Sequence, residues 1–379
     1  MRFSAAFAFT LTTISLTGCR SHQNPAVKSA GFIYVPGTSA ATGDIKEQTK
    51  ATLEALSASL KTAGSSLDKA CLVSVYLRDA SDFAAMGEVY TTYFPKNPPA
   101  RVTVMVDGLP DADGLVQISA IAVPDGAERK ILKPQGWSNS PLPYSYGVQS
   151  GNTVFLAGLI SRNGVDNANV KGDVTAQTTY VMGNATAILK EANMTLNDVA
   201  QSRVYITDTA DFPAMNMAYR AAFTDAPPAR ATIRTGLASP DYLVEIAMIA
   251  VKDPSRIAIN PPGPDGKPGP VNPNFSAAIR VGNRLFVAGM SGETGNNKGN
   301  ARAQTTEAIA RVERTMKAAG FRLSDAVEGM AYVVDRTKFP EVDAAYHDAF
   351  REDLPARTVV SVGLVVPDAE GEFSFIAQK

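Results

Sequence analysis

Pro98-Pro99-Ala100-Arg101 reappears as Pro227-Pro228-Ala229-Arg230 and again as Leu354-Pro355-Ala356-Arg357. The three arginines stand 129 and 127 residues apart. The same two offsets relate Gln48, Gln177 and Gln304, then Phe83, Phe212 and Phe339, then Tyr90, Tyr219 and Tyr346, then Phe94, Phe223 and Phe350. Five anchors in one register make the chain a triplicated domain, so its function is to be sought in what the copies share and where they differ. Spread over 379 residues, the repeat predicts three units of about 100 residues, each large enough for a core.

Within each copy an apolar strand ends in glycine, over Phe32 to Gly37, Val154 to Gly158 and Leu285 to Gly289. A helix follows, with its apolar positions at Leu53, Leu56, Leu60 and Ala63, repeated as Met182, Ala185, Leu189 and Ala192 and as Ile309, Val312, Met316 and Ala319. That is the spacing of one buried helical stripe. Gly64, Asn193 and Gly320 close it, residues that accept a left-handed backbone. Then come a strand (Val75-Tyr76-Leu77 and its equivalents), a second helix from about Asp82, Asp211 and Lys338, and two final strands. The class is mixed α/β, with one helical layer on a sheet. The linker over 124–142 holds charge, proline and the only tryptophan, Trp137, whose role the sequence leaves open. The linker over 252–274 is so rich in Pro and Gly that an extended surface spacer is expected.

Thirty-six Lys plus Arg balance 37 Asp plus Glu, with no long run of either sign, so a nucleic-acid partner is not expected. Two cysteines, Cys19 and Cys71, and two histidines, His22 and His347, offer no metal-ligand spacing, and no metal or other cofactor is predicted. Asp111-Ala112-Asp113-Gly114 lacks the later ligands of a calcium loop and reads as a turn. Met1-Arg2 precedes an apolar run from Phe3 to Leu16 that is shorter than the roughly 20 residues a bilayer span needs, so residues 1–18 read as a signal peptide. Leu16-Thr17-Gly18-Cys19 resembles a bacterial lipobox, with Cys19 as the lipidated residue; an ordinary signal peptide is the alternative. The expected location is the periplasmic side, anchored by lipid to the outer membrane, since Arg20 rather than Asp follows the cysteine. Lipidation of Cys19 would leave Cys71 without a disulfide partner.

In every copy the Arg opens a strand after a Pro-Ala turn, where its planar fork is suited to grip a carboxylate through two parallel bonds. About 15 residues later, on what reads as the adjacent strand, stand Gln117, Glu245 and Glu372. A simple Arg–Glu ion pair between neighbouring strands is the structural alternative, and periodicity does not exclude it. The tyrosines and phenylalanines at the helical anchors read as core.

Asp173-Val-Thr-Ala-Gln177-Thr, Val204-Tyr-Ile-Thr-Asp208, Asp211-Phe-Pro-Ala-Met215-Asn216, Pro227-Pro-Ala-Arg230 and Val244-Glu245-Ile246 together resemble the Rid/YjgF family of reactive-intermediate (enamine/imine) deaminases, three times over. The resemblance implies three tandem chorismate-mutase-like domains over 23–123, 143–251 and 275–379, closing into a pseudo-trimer within one monomeric chain, with clefts between neighbouring units. It implies that Arg101, Arg230 and Arg357, with Gly37, Gly158 and Gly289, bind a substrate carboxylate, and that Glu245, Glu372 and Tyr144 are catalytic. The second copy then matches throughout, with Tyr144, Gly158, Arg230 and Glu245. The third has Phe275 where the Tyr is expected. The first has Gln23 for the Tyr and Gln117 for the Glu, and looks degenerate. A cysteine common two residues after the Arg is replaced by Thr103, Thr232 and Val359.

The activity so implied is hydrolytic deamination of small 2-imino or 2-enamino acids to 2-oxo acids and ammonia. The competing class is a non-catalytic lipoprotein that captures small carboxylates, favoured by the changes in copies one and three. A three-repeat cyclic-amide hydrolase lacks support, because Lys and Ser pairs are missing from equivalent places. Some Rid relatives cleave RNA or shield unfolded proteins, and these residues point to neither.

Overall fold

The computed structural model describes residues 25–263, 265–267, 269–351 and 353–379. The expected signal peptide, Cys19 and Gln23 lie outside them. In chain order the first repeat holds β1 (Val27–Ser29), β2 (Phe32–Ser39), α1 (Ile45–Thr62), β3 (Ala70–Leu77), α2 (Phe83–Tyr93), β4 (Ala100–Met105) and β5 (Val116–Ala122). A linker strand β6 (Lys130–Leu132) precedes β7 (Gly147–Ser150), β8 (Thr153–Leu159), α3 (Val174–Lys190), β9 (Val199–Ile206), α4 (Phe212–Ala221), β10 (Ala229–Arg234) and β11 (Val244–Val251). A second linker strand β12 (Ile257–Ile259) precedes β13 (Ala278–Val281), β14 (Arg284–Ser291), α5 (Ala301–Ala318), β15 (Ala326–Val333), α6 (Phe339–Phe350), β16 (Ala356–Ser361), β17 (Gly363–Leu364) and β18 (Gly371–Gln378).

Each repeat orders its sheet alike. In the first the order is β1-β2-β5-β3-β4, with β3 and β4 parallel and the other neighbours antiparallel. The strands β3, β9 and β15 are buried along their whole length, because both faces are covered. On β3 the alternation of side chains sends Val73, Val75 and Leu77 under the helices, while Leu72 and Tyr76 join the core shared by all three repeats. The helix stripes are buried as their spacing predicts, and Gly64, Asn193 and Gly320 end the helices at φ of +77°, +54° and +79°.

The three sheets close a ring. Met105 and Gly236 exchange backbone hydrogen bonds at 2.9 and 3.1 Å between the first and second repeats. β10 pairs with β17 between the second and third, and the Ser361 amide donates to the Gly108 carbonyl at 2.8 Å between the third and first. At the centre Arg203 of the second repeat forms a buried ion pair with Glu328 of the third at 2.7 Å. The linkers are not free spacers. β6 adds to the edge of β7 and β12 to the edge of β13, so each linker extends the sheet of the repeat that follows it.

Candidate functional site

Arg101, Arg230 and Arg357 each occupy the second position of their strand, directly after the Pro-Ala step. The helical tyrosines read as core are wholly buried and also act as ledges for these arginines. The guanidinium carbon lies 4.9 Å from the Tyr90 ring centroid in the first repeat, 4.8 Å from Tyr219 in the second and 4.4 Å from Tyr346 in the third, within the range of a cation–π contact. The recurring offset of Tyr and Arg was the signal for this contact. All three arginines keep a buried Nη1 with no hydrogen-bond partner. A buried charged donor left unpaired is costly, which marks each as a place where a ligand belongs.

The positions carrying Gln117, Glu245 and Glu372 are not on the strand adjacent to the Arg. In the second repeat β9 lies between β10 and β11, so Arg230 and Glu245 flank it, and no ion pair joins them among the described residues. The ion-pair alternative fails on topology. The set Tyr144, Gly158, Arg230 and Glu245, matched within one copy, is also not one site. Glu245 sits against the Thr103 amide and the charge of Arg101, both from the first repeat, and the Tyr144 ring centroid lies 5.8 Å from the Arg101 guanidinium carbon. Ser145, next to Tyr144, donates its amide to the Pro99 carbonyl at 3.0 Å and so ties this stretch to the Pro-Ala-Arg turn. Glu372 of the third repeat sits against the Thr232 amide and Arg230, with the Phe275 ring 5.3 Å from that guanidinium. Gly37 of the first repeat lies between Gln117 and Thr358, the neighbour of Arg357, since a Cβ built there would stand 2.6 Å from Gln117 Oε1 and 2.9 Å from Thr358 Cγ2. The complete set is therefore Arg101, Tyr144, Gly158 and Glu245, and the copy that looked degenerate supplies its arginine.

The glycines do not end their strands. β2, β8 and β14 continue past Gly37, Gly158 and Gly289, and each carries one extra residue there relative to β5, β11 and β18. A bulge of this kind re-aims side chains and takes the glycine out of the ladder. The carboxylate fills the space so made. A Cβ built on Gly158 would lie 1.8 Å from Glu245 Oε1, and one on Gly289 1.9 Å from Glu372 Oε1. At Gly37 it would lie 2.6 Å from Gln117 Oε1. The anchor glutamines set the strand that bears these groups. Gln177 Nε2 donates to the Asp241 carbonyl at 2.9 Å and its Oε1 accepts from the Leu243 amide at 2.9 Å, with Gln48 and Gln304 bonded in the same way.

Burial governs the electrostatics. It pushes the Glu245 carboxyl up to about 8, against the opposing pull of the Thr103 amide and the Arg101 charge, and pushes Glu372 up to about 8 in the same manner. Both are largely protonated at neutral pH. Desolvation also lowers Arg101 and Arg230, which leaves both cationic.

One helical position separates the clefts and went unnoticed in the sequence, although it keeps the same offsets. It is Gly87 on α2, Asn216 on α4 and Asp343 on α6. Asp343 forms an ion pair with Arg357, and Asn216 Oδ1 accepts from Arg230 Nη2 at 2.6 Å. Gly87 gives Arg101 nothing, and a Cβ there would meet no atom within 4 Å. The Pro/Gly-rich linker also went unread as part of a site. Pro261, Pro262 and Pro270 line a cavity of ≈ 400 Å³ that contains Arg230 and Glu372. This open volume lies at the second cleft, not at the one whose residue set is complete. Trp137 packs its ring on Gly164 and stands edge-on to Tyr146 at 5.0 Å, which fixes the first linker against the second repeat beside Tyr144.

A model of the endoribonuclease L-PSP family matches residues 18–124, 138–252 and 267–379. A RutC family protein of Pyrococcus abyssi is 46% identical over 124 residues, covering 33% of this chain and 93% of that protein. The 3-aminoacrylate deaminase RutC of Acinetobacter baylyi is 33% identical over 122 residues, covering 32% of this chain and 97% of that protein. A chorismatase of known crystal structure, 14% identical, shares the fold with a TM-score of 0.53 over 82% of this chain and 93% of its own. Each of these two single-unit relatives spans one repeat, and three successive matches span most of the sequence: the chain belongs to the endoribonuclease L-PSP family, that of the Rid/YjgF proteins, with three family domains in tandem.

Proposed function

We propose that the cleft between the first and second repeats hydrolyses small 2-enamino and 2-imino carboxylic acids to 2-oxo acids and ammonia. The observation that carries this reading is the facing pair of a buried, unpartnered Arg101 Nη1 and a buried Glu245 carboxyl that holds its proton to about pH 8. The name of the Acinetobacter relative, a deaminase acting on an enamine of a carboxylic acid, points the same way.

Arg101 receives the substrate carboxylate, and the Gly158 amide, which sits at the β8 bulge, bonds it as well. Protonated Glu245 gives its proton to C3 of the enamine, which forms the iminium and a Glu245 carboxylate together. That carboxylate takes a proton from water as the hydroxide adds to C2, then passes it to the nitrogen. As the C2–N bond breaks and ammonia leaves, the hydroxyl proton of the carbinolamine returns to Glu245, and the cycle closes with a 2-oxo acid. Holding both reactants against a fixed carboxyl converts a chance encounter into a directed one. Tyr144 closes the pocket on the Arg101 side.

The test is ammonia release from freshly generated 2-aminoacrylate. Glu245→Gln keeps shape and hydrogen bonding, so it should spare carboxylate binding and lower the rate by roughly two to four orders of magnitude. Full activity in this variant would sink the assignment. Loss of small-carboxylate binding in Arg101→Ala, in a protein that never releases ammonia, would instead support the binding-protein reading. We propose further that the mature chain is exported with lipid on Cys19. Cys19→Ser should then free it from the membrane fraction, and unchanged fractionation would count against the anchor.

A further inference from the structure

We infer that the cleft between the second and third repeats is a separate site for carboxylic acids bearing a bulky apolar side chain. The inference rests on the reading that the buried arginines receive carboxylates.

The cavity there, ≈ 400 Å³, lies within the range of about 300 to 1,000 Å³ that pockets for drug-sized ligands span, and a three-carbon acid would leave most of it to water. Its polar end is Arg230, with Nη1 buried and unpartnered, beside Glu372. Arg311 and Arg314 also line the cavity, but both are about a third exposed; Arg311's three nitrogens are taken by Glu307 Oε1 and by the carbonyls of Ser291 and Glu293, and Arg314 Nη2 pairs with Glu307 Oε1 at 3.3 Å, so Arg230 is the buried cation with a donor to spare.

The rest of the lining is mixed, with Arg311, Arg314 and Thr315 on α5 and an apolar share from Phe212, Phe275, Met290, Val365 and the linker prolines. Phe275 stands where the first cleft has Tyr144, and it removes a hydroxyl while leaving the ring 5.3 Å from the guanidinium. Pro261, Pro262 and Pro270 add to the lining from the linker loop. Asn260 Nδ2 donates to the Gly269 carbonyl at 2.9 Å, the Gly263 amide donates to the Lys267 carbonyl at 2.8 Å, and β12 joins the loop to β13. Gly269 permits the loop ends to close, since a Cβ there would stand 2.6 Å from the Pro261 carbonyl oxygen. Apolar side chains beside a buried cation favour an acid with an apolar body, because burying such a body displaces water while the carboxylate satisfies the arginine. In the first linker Trp137 is instead packed down on Gly164 and Tyr146 of the second repeat.

Calorimetric titration of the whole chain with phenylpyruvate and with pyruvate tests this. Phenylpyruvate should bind at least tenfold more tightly than pyruvate. Arg230→Met should remove that advantage, while Arg101→Met should change phenylpyruvate affinity by less than twofold. Ala277→Phe leaves Arg230 in place and fills the cavity, so it should weaken phenylpyruvate more than pyruvate and covers the case in which Arg230→Met fails to fold. Equal affinity for the two acids, or a phenylpyruvate site that vanishes with Arg101 instead of Arg230, would overturn the inference while leaving the deaminase reading intact. If neither arginine variant weakens either acid, the carboxylate assignment falls for both clefts together.

Discussion

Arg101 and Arg357 open equivalent strands, rest on equivalent tyrosine rings and bury the same unpartnered Nη1, yet Arg357 is ion-paired with Asp343 where Arg101 faces Gly87. The groups across from them differ as well. Arg101 looks onto Glu245, and the cleft of Arg357 holds Gln117. An arginine already neutralised by an aspartate draws a ligand carboxylate weakly, and a glutamine orients water without taking its proton. On the proposed reading, what a copy lacks is a property of a cleft, not of a repeat. Gln117 of the first repeat lies in the cleft shared with the third, while Arg101 of that same repeat lies in the cleft shared with the second.

The sharpest way to break this contrast is Gly158→Ala. Its Cβ would fall 1.8 Å from Glu245 Oε1, so the carboxyl must move. A displacement near 1 Å costs about 100-fold in rate, and kcat should fall by that order with KM little changed. Steady-state kinetics that match wild type would show that the glycine does not set the Glu245 position.

Gly87→Asp makes the first cleft resemble the third. The site is open to a side chain, and the new carboxylate should pair with Arg101 and compete with substrate. Hydrogen bonds to charged groups are worth roughly 1.5 to 3 kcal/mol, so binding of a carboxylate analogue by titration should weaken at least tenfold. Unchanged affinity would mean that Arg101 does not hold the carboxylate.

pH sharpens the same comparison. In the proposed reaction the enamine step needs Glu245 protonated, and burial pushes its carboxyl up to about 8. Turnover should therefore be level below pH 8 and fall about tenfold per unit above it, a slope that Glu245→Gln must lack. Rates that climb through pH 8 would instead make the ionised carboxylate the starting form.

The smallest effects concern the third cleft and stability. Asp343→Asn frees Arg357 from its ion pair and should add a weak carboxylate site to the titration. An unchanged stoichiometry would locate the defect elsewhere in that cleft. Glu245 is raised in the folded chain, so its contribution to stability is whole below its ordinary value near 4.5 and is lost as pH rises through about 8. Glu245→Gln should then raise Tm by about a few degrees at pH 9 and leave it unchanged at pH 4.

The amino-acid sequence by itself determined the triplication, the order of strands and helices, the buried helical stripes and the arginine, glycine and glutamate positions, because each is written in local periodicity or in a repeated offset. It named Arg101, Arg230, Arg357, Glu245 and Glu372 as the groups to watch. Three matters waited for the tertiary structure. Sequence spacing put Arg230 and Glu245 on neighbouring strands, whereas β9 runs between them, since strand order in a sheet follows the crossover connections and not the chain. The pairing of Arg101 with Glu245 was hidden because three near-identical units present near-identical edges, and only ring closure decides which edge meets which. The proline-rich linker looked like a spacer because its composition lacks a periodic apolar face. It nonetheless walls a cavity, since an edge strand holds it against the third repeat and two hydrogen bonds close the loop on itself without need of a core of its own.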